Sequence, residues 1–464
     1  MVEYKNKMGT MHEGKLLFVM GGPLMMSMVL QALYNIVDSL FVAKIPEVGE
    51  AAVTALAIAF PIQMLMIALT VGTGVGVGAV LSRALGSGNR HLASQVAGNT
   101  ITLYGVYFLA LLLFGLFGVK AYIATQTSDV LVERFGIEYL QIITCFSLAN
   151  MGQKCFEKLL QATGKATFSM LGQLTGAVSN ILLDPIFIFG WFGVPAMGVK
   201  GAAIATIVAQ VISVLVSGTL HYRMNTEVDH DPTYLKPALP VVAKILKIGA
   251  PAILMQALMS FMTYGMNLIL STVTASAVTA FGVYYKLQNF VFMPAFGLNN
   301  ACVPIIGYNY GQKNERRIRQ TIRYALLMVV SIMTFGILLF QTATEPIVSL
   351  FSLSAATHNV CVRALQIVSL GFIFAGINVL FQGVCQALGN GMYSLYISLS
   401  RLIVFVLPLA WFLAPMEKSK LFIWMVFPIA EALTLLLSSA LTWHLYRVTI
   451  GRVAASSARS SESD

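Results

Sequence analysis

Charge is what this chain lacks. Of its 464 residues only 10% are Asp, Glu, Lys or Arg, and just 19 are acidic. A water-facing domain covers itself with roughly a quarter charged residues, so a soluble globule is excluded. Cysteine and histidine are scarce as well, with 5 and 6 copies. Cys145, Cys155, Cys302, Cys361 and Cys385 show neither a CxxC nor any metal-ligand spacing, and they read as small core residues. His12, His91, His221, His230, His358 and His444 fall in loops or at helix ends, and no HExxH or GxSxG occurs. An intramembrane enzyme is therefore disfavoured, and no cofactor is expected. Gly72, Gly74, Gly76 and Gly78 are not followed by Lys-Ser/Thr and no strand precedes them, so they are read as helix packing rather than a phosphate loop. With no nucleotide-binding motif, ATP drive is disfavoured too.

What is present is apolar. Hydrophobic residues make up 57% of the chain, and its mean hydropathy is +0.79. Runs long enough to cross roughly 30 Å of hydrocarbon recur throughout. They lack strand alternation, which leaves helices as the spanning structure. Twelve are placed near 16–43, 51–81, 95–119, 132–158, 167–190, 201–222, 248–271, 277–308, 324–342, 360–384, 393–414 and 421–446. The polar start up to Glu13 leads into a run expected to stay as the first helix rather than to be cleaved.

The net charge of +10 comes from short basic loops, and no nucleic-acid partner is implied. With a cytoplasmic N-terminus, twenty Lys and Arg fall on the inner side, Lys154 and Lys158 counted among them, and seven on the outer. By the positive-inside rule both termini then lie in the cytoplasm of a bacterial inner membrane.

The halves repeat. A shift of 225 positions aligns Gln63 with Gln288, Gly72 with Gly297, Gly86 with Gly311, Gln161-Ala162 with Gln386-Ala387, and Leu140-Gln141-Ile142 with Leu365-Gln366-Ile367; a nearby shift pairs Pro23 with Pro251. The expected fold is an all-α membrane protein of twelve transmembrane helices in two six-helix bundles. Six is even, so the pseudo-two-fold axis lies along the membrane normal. The organisation read from the chain is a lobe over 1–222, a linker over 223–247, a lobe over 248–446 and a disordered cytoplasmic tail over 447–464. Each chain holds a whole pathway, as a monomer would.

Ionisable groups within hydrocarbon cost several kcal/mol, and Asp38, Asp184, Lys286 and Glu431 stand out. Gln31, Tyr34, Asn35 and Asp38 fall on one helix face. Asn180 lies one turn below Asp184, Pro185 favours a kink, and Thr206 sits at similar depth. Two carboxylates, an amide and a hydroxyl suit Na⁺; two buried carboxylates equally suit a shared proton. The plainer reading is that each Asp bonds a neighbouring helix. Lys286 and Glu431 form a buried ion pair or serve substrate binding or coupling. Arg401, nearer a helix end, is expected to snorkel. Met25, Met26, Met28, Met64 and Met66 suit an adaptable pocket.

Pro23 followed by Asn35-Ile36-Val37-Asp38, with Asn180-Ile181-Leu182-Leu183-Asp184-Pro185, resembles the multidrug and toxic-compound extrusion (MATE) family, in its DinF/MepA-like branch, over nearly the whole chain to about residue 450. The resemblance implies a V-shaped pair of bundles exporting cationic or amphipathic small molecules, driven by H⁺ or Na⁺. It places the cation site at Asp38, Asn180, Asp184 and Thr206, and cavity-facing positions at Gln31 and Tyr34. The related NorM-like branch has a carboxylate where this chain has Gln256. The expected substrate cavity comprises Gln31, Tyr34, Asn35, Met64, Gln256 and Lys286, with Pro23, Pro185 and Glu431 structural or coupling. A lipid-linked precursor flippase is the rival reading. It needs embedded basic residues, and Lys286 and Arg401 are the only ones apparent in the sequence.

Overall fold

A computed structural model describes residues 6–43, 45, 49–349, 351, 353–416 and 422–461, with side chains for all of these except 35, 36, 39, 43, 49, 50 and 450–461. The described residues are nearly all helical. The long helices are α1 (Glu13–Ala43), α2 (Gly49–Gly86) and α3 (Arg90–Leu113). The kinked pair α4 (Val130–Cys145) and α5 (Leu148–Ala162) follows, then α6 (Ala166–Phe189) and α7 (Gly198–Met224). The second half has α8 (Leu239–Val273), α9 (Ala275–Gly311), α10 (Glu315–Thr342), α11 (Ala355–Ser369) and α12 (Phe372–Ala387). It ends with α13 (Gly391–Leu399), α14 (Val406–Leu413) and α15 (Val426–Ser461). Among the described residues ten helical segments are long and apolar enough to cross a bilayer; α11 and α12, bent by 53°, form another together. The remaining crossing is the pair α4 and α5, of 16 and 15 residues, each too short to span alone. Its second member carries Lys154, Glu157 and Lys158, and a charged stripe on a spanning helix must face something other than lipid. The chain is a multi-span membrane protein with the twelve-helix organisation expected.

Its hydrophobic core is double. One cluster gathers buried residues from 42 to 245. The other gathers residues from 248 to 445 and is joined by Leu16, Leu17, Met20 and Leu24 from the first turns of α1. Between the lobes the linker is shorter than the sequence suggests. Pro240 stands in the first turn of α8, where its missing N–H leaves no hydrogen bond unmade, so the helix starts at Leu239 rather than near 248. The linker is also tied down. Asn99 Oδ1 accepts from the Ala238 amide (2.7 Å), and Thr102 Oγ1 donates to the Leu235 carbonyl (2.6 Å). Helix α15 continues to Ser461 through the stretch read as an irregular tail.

The internal repeat is visible in contacts that obey it. A Cβ on Gly86 would collide with the Tyr308 carbonyl oxygen, and a Cβ on Gly311 with that of Arg83. Gly86 and Gly311 are 225 apart, and so are Arg83 and Tyr308. Likewise Gly72 packs on Ile253 and Gly297 on Met25. Gln161 Nε2 donates to Ser169 Oγ (3.0 Å), and Gln386 Nε2 to Ser394 Oγ (2.8 Å). These reciprocal pairs are what a pseudo-two-fold axis between the lobes requires.

The glycines of α2 serve two faces. At Gly72 and Gly76 a Cβ would strike Ile253 and Ile245 of α8, so the two backbones touch. At Gly74 a Cβ would lie 2.6 Å from Cγ of Lys158. The lobes therefore meet backbone to backbone at the end of the molecule carrying the basic loops. Beyond Gly72 they part, and Ile67, Thr70 and Val71 line a cavity. A short helix, Lys7–Thr10, bridges the closed end. Asn6 Nδ2 donates to the Thr163 carbonyl (3.1 Å) and to Glu227 Oε1 (2.8 Å) on one side. On the other, the Met8 carbonyl accepts from Asn309 Nδ2 (3.0 Å) and Arg317 Nη2 (3.3 Å). Arg317 also donates to the Met11 carbonyl (2.6 Å) and Asn309 Oδ1 (3.0 Å), and it pairs with Glu13 (3.1 Å).

Candidate functional site

Two sites emerge, one inside the first lobe and one between the lobes. In the first lobe the outer part of α1 lies against α6, which runs on through Pro185 and stops at Gly190 in a left-handed conformation (φ 78°). Asp184 is fully buried and Asn180 is 4% exposed. Asn180 Nδ2 donates to Asp184 Oδ1 (3.1 Å), and the carboxyl of Asp38 lies within interaction range of that of Asp184. Two carboxylates so placed repel each other unless a proton or a cation joins them. Asp38 Oδ1, Asn180 Oδ1 and Asp184 Oδ2 are buried and accept from no donor among the described residues. A cluster of oxygens left without donors is what a proton or a hard cation needs, and the donor set fits either.

Beside the pair is a small cavity of about 50 Å³ lined by Gln31, Tyr34, Asn180, Thr206 and Gln210 among others. Thr206 Oγ1 donates to the Ala202 carbonyl (2.9 Å), which directs its lone pairs away from its own helix turn. Gln210 Oε1 is buried without a partner among the described residues. The structure thus brings Asp38, Asn180 and Asp184 together and sets Gln31, Tyr34 and Thr206 around the adjoining space. The side chain of Asn35 lies outside the described residues. Pro23 sits inside the unbroken α1, its carbonyl accepting from Ser27 Oγ (3.0 Å).

The second site is a cavity of about 370 Å³ between the lobes. Met28 and Gln31 face it from α1 and Gln256 from α8. Tyr284, Tyr285, Phe292, Phe296 and Phe427 give it an aromatic wall. Here several sequence expectations are corrected. Glu431 pairs with Arg401, not Lys286. Arg401 does not snorkel. A π-helical turn over Ser400–Val404 interrupts the eleventh crossing, and Arg401, on that turn, reaches Glu431 and the Phe292 ring (5.8 Å). Asn378 Nδ2 completes the acid's shell at 2.9 Å. Lys286 is exposed, does not line the cavity and joins no ion pair among the described residues. Met64 is half-buried and lines neither cavity.

Lys154 and Lys158, assigned to an inner loop from the sequence, belong to α5 and line the cavity together with Glu157. Lys154 pairs with Glu157 (3.1 Å), whose other oxygen accepts from Gln153 (3.0 Å). Lys158 Nζ donates to Gln161 Oε1 (3.1 Å). The signal was present: Asn150, Gln153, Lys154, Glu157, Lys158 and Gln161 follow a 3, 4, 7, 8, 11 spacing, one polar face of a helix.

Comparison with known proteins agrees with this architecture. The MatE family model matches residues 23–186 and 251–412, one segment in each lobe. Multidrug export protein MepA of Staphylococcus haemolyticus is 26% identical over 374 residues, covering 80% of both chains. MepA of Staphylococcus saprophyticus is 24% identical over the same length, again covering 80% of both chains. A solved outward-facing multidrug resistance MATE family transporter of the MOP superfamily superposes with a TM-score of 0.87 at 23% identity, over 96% of this chain and 97% of that one. A MATE structure in the straight conformation gives 0.88 at 21%, over 97% and 98%.

Proposed function

We propose that this chain, which belongs to the MatE family, is a secondary active multidrug exporter that moves cationic or amphipathic small molecules in exchange for H⁺ or Na⁺. The observation that carries the reading is the buried carboxyl pair of Asp38 and Asp184, beside a donor-free amide oxygen and within a lobe that borders the central cavity. With the basic loops in the cytoplasm, the lobes are closed inward and part outward. In that state an ion reaching Asp38, Asn180, Asp184 and Thr206 neutralises the pair and favours release of cargo to the outside. Loss of the ion inward lets the lobes accept cargo from the other side. The gradients are adequate, at about 1.4 kcal/mol per pH unit and about 2.3 kcal/mol per charge per 100 mV.

The test is ethidium efflux from proteoliposomes with pH and Na⁺ gradients imposed separately. Transport driven by one gradient, and lost in Asp38→Asn and Asp184→Asn while both variants still insert, is the expected result. Wild-type efflux by either variant overturns the site.

A further inference from the structure

The cavity between the lobes is lined by three cations, Lys154, Lys158 and Arg401, and two carboxylates, Glu157 and Glu431. Lys154 is spent on Glu157 and Arg401 on Glu431. Lys158 is left over. The residue is 7% exposed; its ammonium has one neutral acceptor, Gln161 Oε1 at 3.1 Å, and is in ion-pair distance of no carboxylate among the described residues. A buried, uncompensated ammonium is costly to hold, yet the fold makes room for it. Gly74 lacks the Cβ that would strike its aliphatic stem. The internal repeat sharpens the point. Shifted by 225 positions, Gly74 and Lys158 become Asn299 and Gly383, and there a Cβ on Gly383 would collide with Asn299 Oδ1. Large and small partners are exchanged between the halves. Only the first half sets a cation at that height, and the other half answers with an amide whose Oδ1 is buried and unbonded among the described residues.

We infer that Lys158 is the cavity's anion-recognising group, so that the favoured cargo is an amphiphile bearing an acidic group, a carboxylate, sulfonate or phosphate, alongside an aromatic or cationic body. The inference rests on the export reading and narrows its substrate class. The acidic group supplies the charge that Lys158 lacks, and Phe292, Tyr284 and Phe427 cover the apolar part.

The experiment uses two dyes that differ at one group: rhodamine 19, a free carboxylic acid, and rhodamine 6G, its ethyl ester. Binding to the purified full-length chain is read by fluorescence polarisation. A hydrogen bond to a charged group is worth about 1.5–3 kcal/mol, or roughly 10- to 100-fold. Lys158→Gln should weaken rhodamine 19 by about that factor and change rhodamine 6G by less than about twofold; Lys158→Arg should retain the preference, and Lys154→Gln should leave it largely in place. Displacement of rhodamine 19 by phosphatidylglycerol but not by naphthalenesulfonate supports the same site with a lipid headgroup as its source; the reverse supports a soluble acid. An acid-to-ester affinity ratio unmoved by Lys158→Gln overturns the inference. Wild-type protein that binds the ester and ignores the acid overturns it too, while leaving the export reading intact; protein that binds neither overturns both.

Discussion

Replacing Arg317 with methionine should unfasten the closed end of the lobes. Methionine keeps much of the aliphatic stem and removes the guanidinium, which reaches Glu13, Asn309 and the carbonyls of Met8 and Met11. Arg317 and Glu13 are 14% and 6% exposed in their side chains. Breaking a fully buried pair costs about 3–5 kcal/mol; allowing for partial exposure at Arg317, the part lost from the closed seam is roughly 2–3 kcal/mol. At about 1.4 kcal/mol per decade that is roughly 30- to 140-fold in the ratio of the two arrangements of the lobes. The assay is a spin-label distance between Gln126→Cys and Ser271→Cys, both exposed at the far end, in a background with the five native cysteines replaced. The variant should shift the distribution towards shorter separations, because the open ends close as the seam parts. Superimposable distributions in wild type and variant would refute the idea that this end holds the lobes in the observed arrangement.

Glu431→Gln should lower the midpoint of thermal unfolding by stranding Arg401 in the cavity wall, at a cost of about 3 kcal/mol, and the double change Arg401→Met/Glu431→Gln should recover part of it. Gly76→Val should abolish transport with the protein still inserted, since a side chain there meets the Ile245 carbonyl oxygen; normal efflux would contradict the seam. Asp229→Asn, which loosens an exposed pair with Arg90 (2.9 Å), should change stability by under about 1 kcal/mol. Burial raises the carboxyl of Glu227 above the usual range, opposed by Lys165, Asn6 and Arg90. A raised acid weakens the fold where it must ionise, and the penalty vanishes below the unfolded value. Glu227→Gln should therefore raise the unfolding midpoint at pH 8 and leave it unchanged at pH 4.

The helix count, the two-lobe division and the repeat were legible because they are written in hydropathy and register, which local composition determines. Asp38, Asn180 and Asp184 were legible because a carboxylate inside an apolar run has few possible uses. The charges of α5 were not. They stand near the chain's basic loops, and a charge count assigns them to water unless their helical spacing is read first. The partner of Glu431 was beyond reach for a different reason. Arg401 is brought inward by a π-helical turn, and one extra residue in a turn leaves almost no trace in a sequence. Asparagine and glycine at 299 and 383 gained meaning only once the halves could be laid over one another.

The glycine seam has a mechanical corollary. Helix α2 spans 38 residues, about 57 Å at 1.5 Å per residue. Its stretch from Gly72 to Gly86, about 21 Å, is pinned to the opposite lobe, and the stretch from Gly49 to Gly72 extends about 35 Å beyond the last pin. The helix is a lever with a short arm and a long one. A tilt of about 10° at the pinned end, small enough for glycine backbones to roll over one another, swings the far tip by about 6 Å. Motion on the scale of a small molecule at the tip thus follows from shifts of roughly 2–4 Å along the pinned arm, at contacts where no side chain intervenes to absorb them.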